Sequence, residues 1–178
     1  MSINAVRTCQ FVSKIEVAAW PLIGPMVTLA GTLYIDRSKR RDAQRVLQDM
    51  ADSLRAGRCL AVFPEGTTGP GPQLLHFHAN LLQAAIDAQA AVQAVVLRYS
   101  DATHAFSPSA AYIGDATLAG SLWWVACAEQ LTVHVHVMPA HAGPHPDRRA
   151  LSAALHHEIA VALRHALPEP TRISGHNV

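Results

Sequence analysis

The run CLAVFPEGTTG, residues 59–69, decides how this chain folds. Cys59 to Phe63 form an unbroken apolar stretch, and Pro64, Glu65, Gly66 and Gly69 follow within the next six positions. A short apolar run bounded by turn residues predicts a strand covered on both faces, of the kind found in parallel sheets. Pro64 has no amide proton to give a ladder and ends it, while Gly66 and Gly69 let the backbone turn sharply or approach a ligand. Glu65 is then a charge held at the rim of an apolar core. Taken alone, a Pro-Glu-Gly turn after a strand is ordinary punctuation.

Working outward, elements alternate. CQFVSK (9–14) and GTLYI (31–35) read as strands. RRDAQRVLQDMADSLRAG (40–57) carries Ala43, Val46, Leu47, Met50 and Leu54 at helical spacing, with Ser38 to cap its start and Gly57 its end. Downstream, HANLLQAAIDAQA (78–90) predicts a helix and VQAVVLRY (92–99) a second buried strand. LTVHVHVM (131–138) alternates and predicts a strand with one buried face. A last helix, from about 147 to 167, sets Leu151, Leu155, Ile159 and Leu163 on one stripe. Strands alternating with helices predict an α/β fold, a mainly parallel sheet covered by helices, in one domain spanning 1–167 with a flexible tail at 168–178. In such sheets ligands gather outside the carboxyl ends of the strands, where FPEGTTG lies.

Composition narrows the class. Half of the 178 residues are apolar, 15% are charged and the net charge is +1, which fits neither a disordered chain nor the basic footprint of a nucleic-acid binder. The three cysteines, Cys9, Cys59 and Cys127, show no C-x-x-C spacing and predict reduced thiols in the cytosol rather than a disulfide framework. The stretch from Val17 to Ile35 holds no charged residue and approaches the length of a membrane span. Pro21, Gly24, Pro25 and Gly31 interrupt it, and backbone groups exposed by such breaks are costly in lipid, so helix, turn and strand are expected instead.

The ordered series FVSK, WPLIGPMVTLAGTLYIDR, FPEGTTG and a strand ending in VVLRY resembles the glycerolipid acyltransferases of the lysophosphatidic acid acyltransferase family. The resemblance runs from about Phe11 to Tyr99, with a looser continuation. It implies that family's αβ fold docked on the cytoplasmic face of the cell membrane as a peripheral or monotopic protein. It also implies transfer of a fatty acyl group from acyl coenzyme A or acyl carrier protein, as co-substrate and without a cofactor, to the free hydroxyl of a lysophospholipid. On matching positions, Arg37 is the arginine that holds the acceptor's phosphate, for which a guanidinium fork is suited. Lys14 lies on the same basic side, and Glu65, Gly66 and Thr67 form the motif that shapes the acceptor site. Because a carboxylate repels phosphate, Glu65 is expected to orient Arg37 or a hydroxyl.

The chain departs from the pattern in places. Thr68 and His78 stand where many members carry basic residues, and Ala94 where the strand often begins with proline. With two positive charges fewer, lyso-ornithine lipid joins 1-acyl-sn-glycerol-3-phosphate as an expected acceptor. The family's catalytic H-x-x-x-x-D motif should precede FVSK, its histidine acting as general base and its aspartate orienting the imidazole. None of the eleven histidines is followed five positions later by aspartate. Met1 to Val6 resembles the segment that follows the motif, so the catalytic histidine and aspartate are expected upstream of Met1 and no catalytic residue is assigned within the chain. By this resemblance the domain is incomplete at its N-terminus, and the chain is expected to bind better than it turns over. A non-catalytic lipid-binding relative is the other reading.

Two further features carry chemistry. His134 and His136 point to one face of a strand and His76 and His78 form a second pair, a spacing that can present metal ligands, though no carboxylate or cysteine completes a set and no metal is expected. Leu122, Trp123, Trp124 and Val125 form an apolar cluster whose indoles suit either the lipid headgroup boundary or a protein core.

Overall fold

The computed structural model describes residues 9–20, 23–29, 31–35 and 40–165. Strand β1 (Gln10–Lys14) is followed by a 3-10 turn (Ile15–Ala19), helix α1 (Ile23–Leu29) and strand β2 (Leu33–Ile35). The predicted interruption of the apolar stretch is therefore real, and among the described residues no helix is long and apolar enough to cross a membrane. Helix α2 (Arg40–Arg55) leads to strand β3 (Leu60–Ala61). Gly57 closes α2 at φ +77°, its amide donating to the Leu54 carbonyl and the Arg58 amide to Ser53. That pairing uses a left-handed residue which costs glycine little, as the sequence predicts. Ser38, the expected cap at the other end, lies outside the described residues, as do the segment from Met1 to Thr8 and the tail from 168.

The three strands form a parallel sheet in the order β2-β1-β3, with Lys14 level with Ile35 and Phe11 level with Ala61. Parallel neighbours require a crossover, and α1 and α2 supply it. Met50, 2% exposed, and Ala51 drive the inner face of α2 into Val12 and Ile35, with Leu47 and Leu54 packed around them. The helical spacing read from the sequence is thus the stripe that covers the sheet.

The second half is built differently. A 3-10 turn (Ala79–Leu82) and a short helix α3 (Gln83–Asp87) replace the single helix predicted there. Strand β4 (Val92–Ser100) pairs antiparallel with β5 (Thr132–His141), with a register shift between Gln93 and Val95. Helix α4 (Leu118–Cys127) lies between them in sequence. Helix α5 (Arg148–His165) buries Leu151 and Leu155 against Phe77, Leu82 and Ala94, a second apolar cluster.

Three expectations need correction. The run 59–63 is not covered on both faces: only Ala61 is buried and Phe63 is 52% exposed. The strand itself is only two residues long, Leu60–Ala61, so Phe63 already belongs to the loop beyond it. Strand β4 buries only Ala94 and Val96, being half of a two-stranded sheet. Strand β5 buries none of its residues; Val133 and Val137 are exposed and Val135, Met138 and His141 half-buried, with Met138 against the α5 cluster and His141 bonded to Glu158 of α5.

Candidate active site

The parallel order β2-β1-β3 brings three strand ends to one rim. Lys14 ends β1 and is exposed, Ile35 ends β2 beside it, and β3, paired with the first half of β1, ends at Ala61 and runs on into the loop that begins at Pro64. Arg37 comes two residues after Ile35 in the sequence but lies outside the described residues, as does Asp36. Met1, upstream of which the catalytic histidine and aspartate are expected, also lies outside them, so of the residues expected to bind the acceptor only Lys14, Glu65, Gly66 and Thr67 are among the described ones.

The loop after β3 is folded back on itself by its own residues. The Gly66 amide donates to the Phe63 carbonyl at 3.0 Å, and Gly66 holds φ +67°, a conformation other residues adopt at a cost. The Pro64 carbonyl accepts from the His78 amide at 2.8 Å, and the Glu65 carboxylate accepts from the Leu75 amide at 2.8 Å. Glu65 thus organises the loop through backbone rather than through a hydroxyl, and its expected contact to Arg37 falls outside the described residues. Thr67 is exposed at the tip.

Sequence reasoning missed the neighbours of this loop. The Thr68 hydroxyl donates to the Tyr112 carbonyl, and the Tyr112 ring meets Trp20 edge-on with centroids 6.4 Å apart. A side chain on Gly71 would press on the Phe106 ring, over which the Arg98 guanidinium lies at 6.0 Å. The segment after β4 therefore roofs the loop after β3, an arrangement between residues far apart in sequence. The same segment holds a histidine–carboxylate pair, His104 Nδ1 to Asp101 at 2.9 Å. The Ser107 hydroxyl, then the Thr103 and His104 groups, keep the Asp101 carboxyl far below the usual carboxylate range. The only signal for it was the turn-forming SDATH after a strand.

Phe63, Pro64 and Glu65 also line a cavity of about 630 Å³, together with Val95, Val96 and Leu97 of β4. Its walls are mostly apolar, coming from both clusters of the core. The histidine pairs do not gather ligands: His134 bonds the Ser100 hydroxyl at 2.8 Å, and His76 and His78 meet edge-to-face at 5.9 Å. Among the described residues no group of three or more His, Cys, Asp or Glu side chains is placed to hold a metal ion.

The family model for acyltransferases matches residues 1–98, the span that holds the rim and its loop. The chain belongs to the acyltransferase family. It is 37% identical over 159 residues to a 1-acyl-sn-glycerol-3-phosphate acyltransferase of Neisseria meningitidis, covering 89% of this chain and 62% of that protein. It is 35% identical over 173 residues to a lyso-ornithine lipid O-acyltransferase of Pseudomonas aeruginosa, covering 96% of this chain and 66% of that one. The solved structure of the 1-acyl-sn-glycerophosphate acyltransferase PlsC from Thermotoga maritima superposes with a TM-score of 0.59 over 89% of this chain and 56% of that chain, at 17% identity, which shows a shared fold. This family member thus spans about three fifths of the length of the Neisseria relative. The α/β class and the family read from G-T-L-Y-I-D-R and F-P-E-G-T both hold.

Proposed function

We propose that this acyltransferase-family chain forms the acceptor-binding part of an enzyme that moves a fatty acyl group from acyl coenzyme A or acyl carrier protein to the free hydroxyl of 1-acyl-sn-glycerol-3-phosphate, giving phosphatidic acid. The observation that carries this reading is that the β1 and β2 ends lie side by side in a parallel sheet whose third strand, β3, runs into a loop, Phe63–Glu65, that lines an apolar cavity. Lys14 at the end of β1 and Arg37 beyond the end of β2 supply positive charge for a phosphate on the outer side. The cavity suits an acyl chain on the inner side, at about 0.8 kcal/mol for each methylene buried. Glu65 keeps the loop between the two in shape.

In this reaction the acceptor hydroxyl attacks the thioester carbonyl, the carbon–sulfur bond breaks, the thiol leaves and the hydroxyl proton passes to a base. The 178 residues contain no H-x-x-x-x-D pair. In this reading the base lies outside them, and these residues alone bind acceptor without appreciable turnover, since a general base contributes about 10²–10⁴ in rate. The thioester is a co-substrate, and no cofactor is required.

Lyso-ornithine lipid is the second acceptor, favoured by one observation: Thr68, where a basic residue is common in the family, is tied to the Tyr112 carbonyl and adds no charge to the rim. Membrane association is proposed to be peripheral. Helix α4 buries none of its residues, and Trp123 and Trp124 stand 68% and 48% exposed beside Leu122, an apolar face of the kind that enters the headgroup boundary.

The test is equilibrium binding of each lysolipid, presented in mixed micelles, to the wild-type chain and to Arg37→Ala and Lys14→Ala. Tighter binding of 1-acyl-sn-glycerol-3-phosphate that weakens in both variants supports the first acceptor. Preference for lyso-ornithine lipid transfers the proposal to the second. Binding of neither, or binding indifferent to both substitutions, removes the rim from the reading.

A further inference from the structure

Cys9 stands immediately before β1 and Cys59 immediately before β3, fifty residues apart in sequence. The structure sets them opposite each other. The Gln10 amide donates to the Cys59 carbonyl at 2.8 Å, and the next pair along the two strands is Gln10 with Leu60. Adjacent strands run about 4.8 Å apart, which lies inside the roughly 4.4–6.8 Å between α-carbons that a disulfide needs. The two sulfur atoms are 2.7 Å apart. Both residues also line the cavity that Glu65 lines, so a small solute in that cavity meets the pair.

We infer that Cys9 and Cys59 are a redox modification site, closing to an intramolecular disulfide when the protein meets an oxidised low-molecular-weight thiol such as glutathione disulfide. The Cys59 thiolate, the less buried of the two, attacks one sulfur of glutathione disulfide after giving its proton to solvent, and one glutathione leaves. The Cys9 thiolate then attacks the Cys59 sulfur, and the second glutathione leaves. Two protein thiols are oxidised and one glutathione disulfide is reduced to two thiols, so electrons and protons balance. The new bond ties the starts of the two strands whose far ends carry Lys14 and the Glu65 loop, and it encloses the segment that holds Arg37. Oxidation thereby fixes the spacing of the rim from its opposite end. The inference does not depend on which lipid the rim binds.

The experiment uses the full chain, reduced and then incubated with glutathione disulfide, alkylated under denaturing conditions and mapped by mass spectrometry. Cys127, exposed on α4, is replaced in a Cys127→Ala background to remove intermolecular products. The expected result is a cross-linked Cys9–Cys59 peptide, loss of two hydrogens from the intact mass, and a rise in thermal midpoint that dithiothreitol reverses. Cys59→Ala should show neither the cross-link nor the rise; it also covers the case in which Cys9→Ala, at a buried position, fails to fold. Full alkylation of both cysteines after oxidation, or a glutathione adduct on Cys59 that persists without closing onto Cys9, would overturn the inference.

Discussion

The Glu65 carboxylate and the Leu75 amide, ten residues apart, are joined by a 2.8 Å hydrogen bond that turns the segment after β3 back toward its own start. A charge-assisted bond of this kind contributes about 1.5–3 kcal/mol when partly shielded from water. Glu65→Ala is therefore expected to open the loop, seen as faster proteolytic cleavage between residues 66 and 75, and to weaken lysolipid binding roughly tenfold or more. Glu65→Gln keeps an oxygen that accepts the amide and should lose less. Equal loss in the two variants would mean that the charge, and not the loop's shape, is what the acceptor feels.

The Trp123 and Trp124 indoles offer a second test. Both are exposed, so Trp123→Ala with Trp124→Ala should leave the thermal midpoint nearly unchanged. If α4 enters the headgroup region, the double substitution lowers partitioning onto phosphatidylglycerol vesicles by about tenfold or more, the equivalent of one well-buried side chain. Unchanged partitioning would assign membrane contact to another surface.

Met50 is the largest fully buried side chain among the described residues and joins α2 to the parallel sheet. Met50→Ala leaves a hole among Val12, Ile35 and Ala84 and is expected to cost about 2–5 kcal/mol in denaturant unfolding. The exposed Gln44→Ala on the same helix serves as the control and should lie within about 0.5 kcal/mol of wild type.

Acid should loosen the second half of the molecule first. The Asp147 carboxylate accepts the Ala150 and Arg149 amides at the start of α5, and these two bonds hold its pKa below the ordinary value. The Asp101 carboxyl is held down in the same direction by the Ser107 hydroxyl and the Thr103 and His104 groups. A group whose folded pKa is depressed adds stability above its unfolded pKa, and that stability is lost as pH falls through the folded value. Stability is thus expected to decline below about pH 4, where unfolded aspartates begin to take up protons. Asp147→Ala should lower the thermal midpoint at pH 7 and flatten the decline. A decline of unchanged steepness would exclude Asp147 as a source.

Much of this was legible in the chain itself. The helical spacing of Met50 and its neighbours, the glycine stop at Gly57 and the breaks after Val17 are local signals, set by side-chain periodicity and by residues whose own φ preferences end an element. The shared side of the strand ends was legible too: parallel strands joined by helices bring their carboxyl ends to one side, so the ends of β1, β2 and β3 point the same way. The sequence was enough for the α/β class and the family. The rest depends on which residues distant in the chain become neighbours. Packing of the whole molecule was needed to set Cys9 against Cys59, lay Tyr112 over Thr68, give the Glu65 carboxylate to a backbone amide, and expose Phe63, Trp123 and Trp124. An apolar side chain carries the same local signal whether or not a partner covers it, and that partner is chosen by packing alone.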